Sequence, residues 1–199
     1  MNEILPGVHH WTARHPRIKR DVSSYYLERE RVLIDPMLPA DGIGWWDGRE
    51  SPTQILLTNR HHYRQSGAFI EAFGCAVRCN SAGMYEFTAG EPVEPFEPGD
   101  VIEGGIIVHE VGAISPDETA LEITDHRALA CADGLVRFDA GAPSFVPDHL
   151  MGDDPDAVKR GLRDAYGRLA ELEVDNLLLA HGDPVIGGGR DALRAVARA

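Results

Sequence analysis

The chain has 199 residues, 43% hydrophobic and 26% charged, the composition of a soluble globular protein and the length of one domain with a sizeable core. Its 19 basic and 32 acidic residues leave a net charge of −13. A surface of that sign repels phosphate backbones and anionic lipid, so neither nucleic acid nor a membrane is an expected partner. No apolar run approaches the roughly 20 residues that cross a bilayer. Met1-Asn2-Glu3-Ile4-Leu5-Pro6 lacks the basic and apolar segments of a secretion signal, so a cytoplasmic protein is expected. Cys75, Cys79 and Cys131 lack the second pair of a structural zinc site and are expected to be free thiols.

In chain order, Val22 to Glu28 and Arg31 to Ile34 are β-prone runs joined by a charged turn, a hairpin that Asp35-Pro36 ends. Ile55 to Thr58 is a compact strand, apolar on both faces and therefore central in a sheet. A helix is predicted from about Ser66 to Phe73, with Gly74 as its C-terminal cap. Ala76 to Cys79 is a strand, and Ser81 is placed to cap the turn that follows. Pro92, Pro95 and Pro98 make residues 90–99 an extended connector. Ile106 to Val111, Ala120 to Thr124 and Ala128 to Cys131 give three more strands. Ser144, after Pro143, reads as a loop residue.

Asp154-Pro155-Asp156 starts a helix whose apolar stripe is Val158, Leu162, Ala165, Leu169 and Leu172. Asn176 to Ala180 is a strand, Gly187-Gly188-Gly189 a flexible hinge, and Asp191 to Ala197 a closing helix. The predicted fold class is α/β (α+β): one domain over residues 1–199, with sheets inside and helices outside.

Five short motifs carry chemistry. They are Leu33-Ile34-Asp35, the polar cluster from Asn59 to Arg64 after a strand and Thr58, Val111-Gly112-Ala113, Ala130-Cys131-Ala132-Asp133, and Leu179-Ala180-His181-Gly182-Asp183-Pro184. Their order and spacing resemble the metallo-β-lactamase-fold hydrolases, glyoxalase II-like members among them. The resemblance runs from about residue 5 to residue 188. It implies an αββα sandwich of two mixed β-sheets packed together with helices outside.

In that family the ligands of one metal fall at positions 59, 61 and 113, and those of the second at 63, 64, 133 and 181. This chain offers Asn59, His61 and Ala113, then Tyr63, Arg64, Asp133 and His181. Alanine has no donor atom, and a guanidinium repels a neighbouring dication. The dinuclear site is therefore expected to be eroded. Arg64, with help from Tyr63, is expected to pair with Asp133 where the second metal would be, with no cofactor required.

The alternative keeps one zinc, iron or manganese ion on His61, Asp133 and His181, with Asn59 as a further donor. In that case these three residues are also the catalytic set. His62 follows His61 directly and is assigned a surface or supporting role. Trp45 and Trp46 either wall a groove or fill core.

Two functions stay open. One is a non-catalytic or altered-function protein, a pseudoenzyme binding a small and possibly anionic molecule through Arg64. The other is a mononuclear metallohydrolase acting on an ester, thioester or lactam. Self-association is compatible with either.

Overall fold

A computed structural model describes residues 1–138 and 141–199, in two compact units, Met1–Glu97 and Pro98–Ala199. In the first unit β1 (Asn2–Leu5), β2 (Val8–Arg14), β3 (Asp21–Leu27), β4 (Val32–Ile34), β5 (Gln54–Leu56), β6 (Ala76–Asn80) and β7 (Val93–Phe96) form one seven-stranded sheet in sequence order. Pairing is antiparallel as far as β4 and parallel from there on, so the sheet is mixed. Tyr26, Leu33, Ile55 and Val77 stand in one row across it. All four belong to a core that also contains Trp46 and Phe69 of α1 (Ser66–Phe73). The neighbouring row, Tyr25, Ile34 and Leu56, is equally buried. Central strands covered on both faces read as continuous apolar runs, which is why β4 and β5 were predictable.

Gly74 ends α1 in the left-handed conformation, and its N–H returns to the Ile70 carbonyl at 2.8 Å. Trp46 lies at the end of a 3-10 turn (Gly42–Trp46) and packs edge-on against Tyr26, Phe69 and Phe73. It therefore fills core, while Trp45 stays half-buried under the Arg49 guanidinium.

The second unit holds β8 (Val101–Ile102), β9 (Ile106–Glu110), β10 (Thr119–Ile123), β11 (Ala128–Cys131), β12 (Leu135–Val136), β13 (Ser144–Phe145), α2 (Pro155–Leu169), β14 (Asn176–Leu179), β15 (Val185–Ile186) and α3 (Gly189–Arg198). Six of the strands form a mixed sheet, ordered β15-β14-β11-β10-β9-β8, in which only β11 and β14 pair in parallel. Its core combines Leu129, Cys131, Leu177 and Leu179 with Leu162 of α2 and Leu193 of α3. Asp154 caps α2, accepting from the Ala157 N–H at 2.9 Å. The three cysteines are buried thiols outside any disulfide.

Four local expectations are corrected. The proline-rich connector contains β7, paired in parallel with β6 so that Pro95 faces Cys79. β7 is an edge strand, where a missing N–H is tolerated. Asn80, not Ser81, accepts the capping bond, from the Ala82 N–H at 3.0 Å. Ser144 belongs to β13, opposite Val136. The glycines at 187–189 are no hinge: Gly187 N–H donates to Asn176 Oδ1 and Gly189 N–H to the Asp175 carbonyl.

Candidate functional site

Each unit places polar side chains at the C-terminal ends of a parallel strand pair, the usual location of ligand sites in sheets of this kind. In the first unit Ile34 pairs with Leu56; Asp35, one residue beyond that pair, and Thr58, two residues beyond it, meet as they leave the sheet. Asp35 Oδ1 accepts the Thr58 N–H at 2.8 Å, and Oδ2 accepts the Thr58 hydroxyl at 2.5 Å. His62 Nδ1 lies 2.9 Å from the same Oδ2 and 3.0 Å from Thr58 Oγ1. Burial alone would push the Asp35 carboxyl up. The facing His62, with Arg64 and Thr58, outweighs burial and holds the carboxyl below the usual carboxylate range.

The rest of the loop has contacts within its own unit. Asn59 is buried and caps a short 3-10 turn (Arg60–Tyr63), its Oδ1 accepting the His61 N–H at 2.9 Å. The His61 ring is half-exposed, with Nδ1 3.9 Å from Glu86 Oε1. Tyr63 packs its ring 6.0 Å from that of Phe87, and burial followed by Glu91 pushes its phenol up. Arg64 has φ 46° and ψ −109°, a conformation a non-glycine residue adopts only when its surroundings impose it. Its Nη1 donates to the carbonyls of Ser23 and Asp35, both at 2.7 Å.

In the second unit Cys131 pairs with Leu179 in parallel register, and the Ala180 N–H returns to the Cys131 carbonyl at 3.0 Å. Asp133 and His181 each lie two residues beyond that pair. Their side chains meet there, His181 Nε2 standing 2.8 Å from Asp133 Oδ1, and both remain partly accessible, with His181 at 15% and Asp133 at 31%. These are two ligand-type atoms facing one another, an imidazole nitrogen and a carboxylate oxygen, both donor types that metal sites use.

The loop after His181 is fixed by close backbone approach. A Cβ at Gly182 would lie 1.7 Å from the Arg137 carbonyl oxygen, and its φ is +94°. Arg137 N–H donates to the His181 carbonyl at 3.0 Å, and Arg137 Nη1 to the Pro184 carbonyl at 2.7 Å. On the other side of Asp133 the buried Glu118 accepts the Gly134 N–H at 2.7 Å through Oε1 and the Ile114 N–H at 3.2 Å through Oε2. One carboxylate thus ties the turn carrying Asp133 to the turn carrying Ala113. Ala113 itself packs towards α2, where a Cβ at Gly161 would come within 3.2 Å of its methyl.

Within the second unit the structure brings Asp133 and His181 together. In the first, His61, Asn59, Tyr63 and Arg64 lie in one loop with divergent side-chain environments. Of the two roles expected for His62, surface or supporting, burial against Asp35 and Thr58 favours the second; Glu118 escaped the sequence, because an isolated acidic residue after Pro116-Asp117 carries no signal of burial.

Neither a family model nor a curated protein matches this sequence. Solved structures do match. TTHA1623, in a di-iron-bound form, has a TM-score of 0.66 at 20% identity, over 92% of this chain and 96% of its own. The metallo-β-lactamase family protein TTHA1429 from Thermus thermophilus has a TM-score of 0.67 at 18% identity, over 98% of this chain and 78% of its own. The DIM-1 metallo-β-lactamase exposed to ceftazidime has a TM-score of 0.69 at 12% identity, over 99% of this chain and 95% of its own. With its two mixed sheets and flanking helices, this chain has the metallo-β-lactamase fold.

Proposed function

We propose that this chain is an altered-function protein of the metallo-β-lactamase fold. It has given up two-metal hydrolysis and works on a small molecule through a single polar centre built on Asp133 and His181, with one divalent ion as cofactor. The observation that carries this reading is the accessible Asp133–His181 pair at 2.8 Å.

The residues at the family's ligand positions do not fit two ions. Ala113 offers only a methyl group packed towards α2, the Asn59 oxygen is engaged as a helix cap, and position 64 carries a permanent cation. Asp133 and His181 do fit one, since a carboxylate and an imidazole are donors of catalytic zinc or iron sites. When bound, such an ion polarises a carbonyl and lowers the pKa of its water towards about 7. The chain's own contribution is to hold the pair in place through Glu118, Arg137 and the close approach at Gly182. Esters, thioesters and lactams are the substrate classes this chemistry serves.

Elemental analysis of protein purified without chelators, paired with a screen on those substrate classes, tests the reading. The expected result is about one equivalent of zinc, iron or manganese and an activity lost in Asp133→Asn. Two equivalents, or none, contradict it.

A metal-free reading has one observation in its favour. The Arg64 guanidinium is fixed against two carbonyls, a rigid cation of the kind that selects carboxylates and phosphates. Phosphate binding to metal-free protein that disappears in Arg64→Met would favour it.

A further inference from the structure

We propose that the second unit carries a binding site for a small apolar α-amino acid, in the groove between the end of β9 and the last turn of α2. The site shares no residue with the Asp133–His181 pair and does not depend on the single-ion reading.

The groove has a volume of about 260 Å3. It is lined by His109 and Glu110 of β9, by Arg168 and Leu169 of α2, and by Leu172 just beyond that helix. Pockets for drug-sized ligands run from roughly 300 to 1,000 Å3, so this one suits a smaller molecule.

Its lining divides by chemistry. Leu169 is buried and Leu172 half-buried against the core of the unit, which gives the groove an apolar wall. His109 is committed to a partner on the next strand, its Nε2 lying 2.7 Å from Glu122 Oε2. A carboxylate only accepts, so the hydrogen in that contact sits on Nε2. The same contact gives Glu122 its donor.

Arg168 and Glu110 differ from that pair. Both are exposed, and among the described residues neither forms an ion pair, with the other or with a third group. Other arginines of this unit are matched: Arg127 with Glu173 and Asp175, Arg190 with Glu173, and Arg194 with Glu171. Two opposite charges that border one groove without reaching each other are bridged by a ligand that carries both. An α-amino acid does so. Its carboxylate takes the guanidinium fork, its ammonium donates to Glu110, and an aliphatic side chain lies on Leu169 and Leu172. A dianion such as phosphate fits less well, because Glu110 only repels it.

Titration of the metal-free full chain, followed through its amide 1H–15N spectrum, tests the assignment with three probes. These are L-leucine, isocaproate (the same skeleton without the ammonium) and isoamylamine (the same skeleton without the carboxylate). L-leucine should give saturable shifts centred on Glu110, Arg168 and Leu172. Each of the other two should bind at least about tenfold more weakly, since each leaves one protein charge unanswered. Arg168→Gln and Glu110→Gln, both at exposed positions, should each weaken L-leucine about tenfold or more while the rest of the spectrum stays native. Arg168→Gln should leave isoamylamine unchanged, and Glu110→Gln should not weaken isocaproate. No saturable shift with L-leucine overturns the proposal. So does isocaproate binding as tightly as L-leucine, which would make the groove a carboxylate site with no role for Glu110. Inorganic phosphate binding more tightly than L-leucine at the same residues would also refute it.

Discussion

In the first unit the parallel pair β4/β5 delivers Asp35 and Thr58; in the second the parallel pair β11/β14 delivers Asp133 and His181. The local construction is the same: a carboxylate leaves one strand and meets a polar partner leaving its neighbour. Exposure separates them. The Asp35 side chain is 2% exposed and enclosed by three hydrogen bonds from the chain, whereas Asp133 is 31% exposed beside His181. The first carboxylate is an anchor that orients a loop, and the second stays accessible to solvent. One strand-end geometry therefore gives a buried carboxylate in one unit and an accessible one in the other.

The largest expected effect concerns the frame around the accessible pair. Gly182→Ala requires a Cβ where the Arg137 carbonyl oxygen already sits and a φ of +94°. It should cost about 3–5 kcal/mol or abolish folding. A denaturant melt matching wild type would show that the loop after His181 is not fixed as described.

Next come the two carboxylates themselves. Asp35→Ala leaves a buried imidazole and hydroxyl without their acceptor and should destabilise by about 3–5 kcal/mol. Asp133→Ala, in a partly exposed pair, should cost under about 1 kcal/mol while removing zinc affinity. Equal losses of stability in the two variants would break the distinction between anchor and working group.

The smallest effect is chemical. Burial pushes the Cys75 thiol up to about 11 and raises Cys131 further, with Glu118 adding to it. A raised thiol pKa means little thiolate at neutral or mildly alkaline pH, so iodoacetamide should label these cysteines slowly until denaturant is added. Rapid labelling of the native protein would show that the cores around them open readily.

What the sequence disclosed follows from how local each signal was. The hairpin β3/β4, the central β5 and α1 with its Gly74 cap are apolar runs bounded by strong breakers, and all were legible. β1 and β2 were not assigned, because Val8-His9-His10-Trp11-Thr12-Ala13-Arg14 mixes polar groups whose partners lie elsewhere in the chain: His9 faces Glu28 and His10 faces Ser23. β7 was hidden by prolines that only an edge position tolerates. At the site, Asp133 and His181 were legible because strand-end motifs fix their positions. The burial of His62 was not legible, since a His-His pair gives no indication of which ring turns inward; that depends on Asp35, 27 residues earlier in the chain.

The most direct measurement of the central claim is the stoichiometry of zinc binding to metal-free protein, compared with Asp133→Ala and His181→Ala. About one site is expected in wild type and none in either variant, with all three proteins folded. Two sites in wild type, or a single site that survives both substitutions, would contradict it.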